Sequence, residues 1–248
     1  MCDSTSCAGE AVAPSRRLFL RTTAATALAT AAGVSLGFAG TVVQAGPLPK
    51  PQNAVSPDEA VKRLVEGNKR YVSGVTKRHD FAHERGALSA GQNPYAAVLS
   101  CADSRVAPEY AFDSGRGDLF VARVAGNVVN DDVLGSLEYA IAVLGVPAIL
   151  ILGHEQCGAV DAAIKVATQA ATYPGMIQSL VAAIVPAVDK VKGKSRDLLE
   201  AATVQNVRDS MAALPERSAI VHDAVVAGKL RVVGGIYRLA TGKVDFLD

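Results

Sequence analysis

Two short blocks contain the residues best suited to chemistry. Ser100-Cys101-Ala102-Asp103-Ser104-Arg105 and Gly153-His154-Glu155-Gln156-Cys157-Gly158 together offer two thiols, one imidazole and, in Asp103, a carboxylate two residues from a thiol. Zinc takes such a set in tetrahedral geometry. His154 and Cys157 are three apart, so both can face one ion from a strand-to-helix turn, while a neighbouring strand brings in Cys101. A helix beginning near Cys157 stabilises thiolate charge there. Three ligands leave a fourth position. Water in that position makes the site catalytic, because zinc lowers the pKa of its water toward ~7. Asp103 in that position closes it. Two thiolates make the ion a weaker acid than three imidazoles would, so deprotonation needs help. Asp103, two residues after Cys101, is placed to give it, and Arg105 can hold Asp103 bidentately and keep it ionised.

Other chemistries fit the same residues less completely. A disulfide between Cys101 and Cys157 leaves His154, Asp103 and Arg105 without a purpose. A closed structural zinc site usually gathers its ligands in paired CxxC knuckles, and these are spread over two strand ends. A thiol nucleophile with His154 as its base, an acyl-transfer hydrolase, uses one cysteine and not two. His79 and His83 are spaced like a metal pair on a helix, but their surroundings read as loop, and both are expected at the surface, as is His222.

The elements that must position these blocks follow from capping and periodicity. Ser56-Pro57-Asp58-Glu59 is a helix start with a capping box. Val61, Leu64, Val65, Asn68 and Tyr71 continue it to a stop at Ser73-Gly74. Val75 to Pro94 reads as loop. Three apolar runs, Tyr95 to Ser100, Asp118 to Val124 and Ala148 to Leu152, read as buried parallel strands. Helices are expected over 131–144, 158–172, 195–214 and 216–227, with Pro215 dividing the last two. Leu230 to Tyr237 and Lys243 to Leu247 form a closing strand pair around Thr241-Gly242. Alternating strands and helices give an α/β fold with a mainly parallel sheet flanked by helices and an N-terminal helical arm. Ligand sites in such sheets lie beyond the carboxyl ends of the strands, where Cys101 and His154 both fall.

Composition narrows the class. The chain has 248 residues, half of them hydrophobic, 20% charged and 5% aromatic. That is one domain with room for an appendage. Lys and Arg number 25 against 24 Asp and Glu, which leaves no electrostatic case for nucleic acid. Few aromatics argue against a base-stacking or sugar-stacking surface. The appendage is at the N-terminus. Arg16-Arg17 precede Leu18-Phe19-Leu20, an Ala-, Thr- and Gly-rich stretch follows, and Val43-Gln44-Ala45 is a small-residue cleavage pattern. Basic, apolar and small-residue regions in that order define an export signal. The sequence SRRLFLR resembles the twin-arginine type. An uncleaved membrane anchor is the alternative. Residues 1–45 are therefore expected to be a signal peptide, 46–55 a proline-bearing linker and 56–248 the working domain. Cleavage removes Cys2 and Cys7, leaving Cys101 and Cys157 in a periplasmic or extracellular protein that does not sit in a membrane.

CADSR followed by GHEQCGAV resembles the β-class carbonic anhydrases. FVARVAGNVV, GSLEYAIAVLGVPAILILGHEQCGAV and LRVVGGIY extend the likeness over roughly Ser56 to Asp248. The resemblance implies one Zn2+ per subunit on Cys101, His154 and Cys157, with Asp103 and Arg105 as the dyad that orients the zinc-bound hydroxide. It implies reversible hydration of CO2 to bicarbonate and a proton. It also implies a substrate pocket: Gln92, nine residues before Cys101, hydrogen-bonds bicarbonate, Phe120 and Tyr139 are aromatic walls, and Ala125 and Gly158 complete it. The family's pocket sits at a dimer interface, so some of these residues serve a neighbouring subunit's zinc in a homodimer or homotetramer. The family includes relatives that hydrolyse COS or CS2 and a branch whose aspartate closes the zinc. Either a COS/CS2 hydrolase or a non-catalytic periplasmic zinc- or bicarbonate-binding protein is therefore the alternative function.

Overall fold

The computed structural model describes residues 49–247; the segment read as an export signal lies outside them, as do Cys2 and Cys7. From Lys50 onward the proline-bearing stretch is tied to the domain. Lys50 donates to Asp118 at 2.8 Å, and the buried Asn53 donates to the Asn93 carbonyl and to Asp118. Ser56 caps helix α1 (Pro57–Val72), its Oγ accepting from the Glu59 amide at 3.3 Å. The buried stripe Ala60, Leu64, Gly67 and Asn68 presses α1 onto its own domain. Asn68 donates to the Ala111 and Gly242 carbonyls and accepts from the Val244 amide, joining α1 to the last strand of the chain.

A short helix α2 (Glu84–Ser89) interrupts the stretch expected to be loop. It has no buried residue, so no apolar periodicity announced it. Strand β1 (Ala96–Ser100) is buried throughout and leads to α3 (Pro108–Ala111), then to β2 (Leu119–Arg123). Helix α4 (Asp131–Ala142) is capped by Asn130, whose Oδ1 accepts from Val133 N at 2.9 Å. Strand β3 (Ala148–His154) is buried at every position, as a central parallel strand must be.

Helices α5 (Gly158–Gln169), α6 (Ile177–Ala182), α7 (Val185–Val191), α8 (Leu198–Arg217) and α9 (Ala219–Val226) precede β4 (Arg231–Tyr237) and β5 (Val244–Leu247). The sequence did not announce α6 and α7, which are only six and seven residues long, with Pro174-Gly175 before the first and Pro186 in the first turn of the second. The expected break at Pro215 is absent: α8 runs through it to Arg217. A proline in the last turn forfeits only one amide donor, whereas Ser218 actively starts α9 by accepting from Val221 N.

The sheet order is β2-β1-β3-β4-β5, parallel except for the β4–β5 pair. Helices α1 and α3 cover one face, where Leu64 and Phe112 meet Val98, Leu150 and Val233. Helices α4, α8 and α9 cover the other, where Leu137, Val207 and Val221 meet Leu99, Ile149 and Ile151. Helix α8 approaches β3 and β4 over glycines: a Cβ at Gly153 would meet Val207 at 2.7 Å, and one at Gly234 would meet Met211 at 2.6 Å. A third cluster lies past the carboxyl ends of the strands, where Val181 of α6, Ile184 and Val188 of α7 pack with Cys101 and Cys157. Among the described residues no helix is long and apolar enough to cross a membrane.

Candidate metal centre

The parallel register brings the two blocks together. Ser100, the last residue of β1, pairs with Leu152 of β3. Cys101 therefore emerges beside Gly153, with His154 at the end of β3 and Cys157 at the N-cap of α5. The two sulfurs and a His154 ring nitrogen all lie within 4.8 Å of one another. Cys101 is 4% exposed, Cys157 1% and His154 0%.

Each donor atom is prepared by its surroundings. The Gly126 amide donates to the Cys101 sulfur at 3.3 Å. Gly126 holds a φ of 71°, and a Cβ there would meet Ile184 at 2.5 Å, so only glycine delivers that amide. The hydrogen bond from Cys157 outweighs burial and pulls the Cys101 thiol down to about 4, helped by His154 and the Gly126 amide. The same bond, together with burial, pushes Cys157 up. Without a cation the pair thus shares one negative charge. Burial acts to lower the His154 pKa, but the adjacent Cys101 sulfur and its charge prevail and raise it. Nδ1 of His154 is 2.7 Å from the Glu155 carbonyl, which accepts its proton. Nε2 is buried and has no hydrogen-bond partner. Two thiols and an orphaned imidazole nitrogen, buried and converging, are the donor set that suits a divalent ion of zinc's type.

Asp103 stands beside this cluster without joining it. Its Oδ1 accepts from the Arg105 amide and Nε, both at 2.9 Å, and its Oδ2 accepts from Arg105 Nη2 at 2.7 Å. That grip holds the Asp103 carboxyl well below the usual carboxylate range. Arg105 also donates to the Gln156 carbonyl at 3.3 Å, which links the two blocks.

Arg123, at the end of β2, was not legible as a site residue. It donates to the Cys101 carbonyl at 2.9 Å and to the Asp103 carbonyl at 2.6 Å, bracing the loop that joins Cys101 to the Asp103–Arg105 pair. A lone arginine after a strand has no spacing that marks it.

The other expected pocket residues divide into two groups. Ala125 opens the turn that contains Gly126, and Gly158 follows Cys157 as the first residue of α5. Both therefore adjoin the cluster. Gln92, Phe120 and Tyr139 do not reach it. Gln92 is exposed in the loop before β1, at the amino edge of the sheet. Phe120 pairs with Ala97, four residues before Cys101, which places it about 13 Å back along the strands. Its ring lies 6.3 Å from that of Tyr139, which is 47% exposed on α4. His83 and His222 are exposed as expected, but His79 is partly covered. Its ring stacks on Phe81 with centroids 5.7 Å apart, and its Nε2 lies 3.9 Å from Asp113.

Residues 96–244 match the carbonic anhydrase family. Over 194 residues the chain is 38% identical to carbonic anhydrase 2 of Mycobacterium tuberculosis, covering 78% of this chain and 94% of that protein. It is 41% identical over 194 residues to the carbonic anhydrase of Mycolicibacterium smegmatis, covering 77% and 93%. Among solved structures, that of the β-carbonic anhydrase CcaA is similar with a TM-score of 0.61 and 27% identity, over 76% of this chain and 95% of that one.

Proposed function

Since the chain belongs to the carbonic anhydrase family, in its β class, we propose that it hydrates CO2 reversibly at a zinc ion held by Cys101, His154 and Cys157, one ion per subunit. The observation that supports this most is the buried Nε2 of His154, without a partner and within 4.8 Å of the two sulfurs. Bound there, zinc supplies a Lewis acid that brings the pKa of water toward ~7.

The protein's own groups do the rest. Asp103, with both oxygens engaged by Arg105, stays an acceptor and takes a hydrogen bond from the attacking water. That bond turns the oxygen lone pair toward the CO2 carbon. The same engagement keeps the carboxylate off the metal, which favours the open site over the closed one. Ala125 and Gly158 form the near wall of the pocket. Gln92, Phe120 and Tyr139 reach a site only as the residues of a second copy, so we read the working unit as a homodimer or a homotetramer. The aromatic walls suit CO2, which is small and has no net charge, and Gln92 steadies an oxygen of the bicarbonate formed. The proton leaves to buffer.

We place the activity outside the cytoplasm, after export through the twin-arginine signal at Arg16-Arg17. Replacing both arginines by lysine should retain the protein inside the cell.

Stopped-flow CO2 hydration by the zinc-verified protein tests the central reading. Rapid turnover that disappears together with zinc in Cys157→Ser is the expected result. A full zinc complement with no turnover on CO2 overturns it in favour of a COS/CS2 hydrolase or a non-catalytic binding protein.

A further inference from the structure

The carbonyl that accepts from His154 belongs to a turn that is strained and clamped. Gln156, its second residue, has a φ of 53°, a left-handed conformation that a non-glycine residue adopts at a cost. Something must hold the Glu155–Gln156 peptide there. The Glu155 amide donates to the Tyr237 carbonyl at 3.0 Å. The Glu155 carboxylate accepts from the Leu239 amide at 3.0 Å and from Arg238 Nη1 at 3.2 Å. Arg238 is fixed in turn: it donates to Glu200 at 2.8 Å, in the first turn of α8, and to Asp245 at 2.7 Å, on β5. The clamp therefore runs from the end of the sheet and the start of α8 into the backbone beside a metal ligand.

We propose that Glu155 is a positioning residue for the metal. Its carboxylate, held by Arg238 and the Leu239 amide, locks the turn whose carbonyl pins the Nδ1–H of His154 and leaves the Nε2 lone pair for a metal ion beside Cys101 and Cys157. The proposal rests on the zinc reading above. It differs from a plain surface ion pair in what it makes depend on Glu155: the acceptor that selects the imidazole tautomer. Released from the clamp, the peptide flips to relieve Gln156, and the ring loses the partner that orients it.

The test compares zinc affinity, by competition with a chromophoric chelator, in the wild type, Glu155→Ala, Glu155→Gln and the double variant Glu155→Ala/Gln156→Gly. Glu155→Ala should bind zinc about 10- to 100-fold more weakly, as loss of an outer partner of a metal-bound histidine does. Glu155→Gln still accepts from the Leu239 amide and should recover most of the affinity. Glycine adopts the left-handed turn freely, so Gln156→Gly should restore much of the loss in the alanine background. The nitrogen shifts of His154 in NMR should show the Nδ1–H tautomer in wild type and its loss in Glu155→Ala. Unchanged zinc affinity in Glu155→Ala, even with a lowered Tm, overturns the proposal, because a merely structural clamp would do that. A double variant as weak as the single one overturns the link through the turn. Should Glu155→Ala not fold, Arg238→Lys takes its place, and unaltered zinc affinity there is equally fatal. Failure of the wild type itself to bind zinc removes the zinc reading and this proposal together; a wild type that binds while the variants match it removes only this one.

Discussion

Oδ2 of Asp103 lies 3.8 Å from Nε2 of His154, near enough for charge to be felt and too far for a hydrogen bond. Nε2 therefore gives no proton to the carboxylate, and the carboxylate is not spent on the imidazole. Arg105 takes up the acid instead. Asp103→Asn separates the roles. Turnover should fall by about 100-fold or more, in the range lost with a positioned proton-handling group, while zinc content stays full. Elemental analysis beside stopped-flow rates checks it. Loss of zinc in place of turnover would identify Asp103 as a ligand.

The shared charge of the two thiols sets how many protons metal binding must displace. Cys101 is already ionised above about pH 4, Cys157 keeps its proton well past its ordinary value, and His154 is held above its own. Near neutral pH zinc should release the Cys157 proton plus whatever share of the His154 ring is charged. As pH rises through the His154 value the ring's share should vanish, while above ~7 the water on the ion should add a proton of its own, so the alkaline count should be two. Zinc affinity should weaken as pH falls, because protons compete for the same atoms. Calorimetry in buffers of different ionisation enthalpy counts the protons directly. A count of three at alkaline pH, one from each thiol and one from water, would contradict the shared charge.

Gly126→Ala should cost stability and metal together. The side chain meets Ile184 at 2.5 Å and must hold a φ of 71°, a strain of about 1–3 kcal/mol. The backbone shift that relieves it withdraws the amide from the Cys101 sulfur. A lower Tm and weaker zinc binding, measured on the same preparation, are the expected pair. Weaker zinc binding distinguishes this position from ordinary packing glycines such as Gly234.

The distance between Phe120 and the cluster of its own chain makes subunit mixing informative. Cys157→Ser and Gln92→Ala should each be impaired alone. Co-expressed, they should form heterodimers in which one site combines an intact metal centre with an intact Gln92 from the other copy. Activity above the sum of the separate variants is the expected result. Simple additivity would mean that each chain uses its own Gln92.

Local pattern made the Cys101, His154 and Cys157 cluster and the Asp103–Arg105 pair legible. Cys101 and the His154–Cys157 pair follow apolar strands, and residues three apart at a strand-to-helix turn can face one ion. The α/β order and the cap at Ser56 are equally local, because a cap acts within one turn of its own helix. The helix boundary falls at Ser218 and not at 215, because a proline in a last turn removes only one hydrogen bond while the Ser218 side chain caps the next helix. Helices α6 and α7 escaped because short helices owe their existence to what they cover, here the back of the metal cluster.

The sequence by itself determined which atoms could bind a metal and at which end of the sheet they would emerge, since register and spacing are properties of neighbouring residues. Only the tertiary structure decided how those atoms are held. Arg123 reaches two carbonyls across the β1–β2 edge, Gly126 offers its amide to Cys101, and Glu155 meets Arg238 across 83 positions of chain. The long separation of Phe120 from its own cluster was likewise hidden, because a single letter does not state how far along a strand its side chain stands from a site. Such contacts form between segments that are distant in sequence. They depend on how the sheet, its crossovers and the closing strand pair pack, and no periodicity along the chain records that.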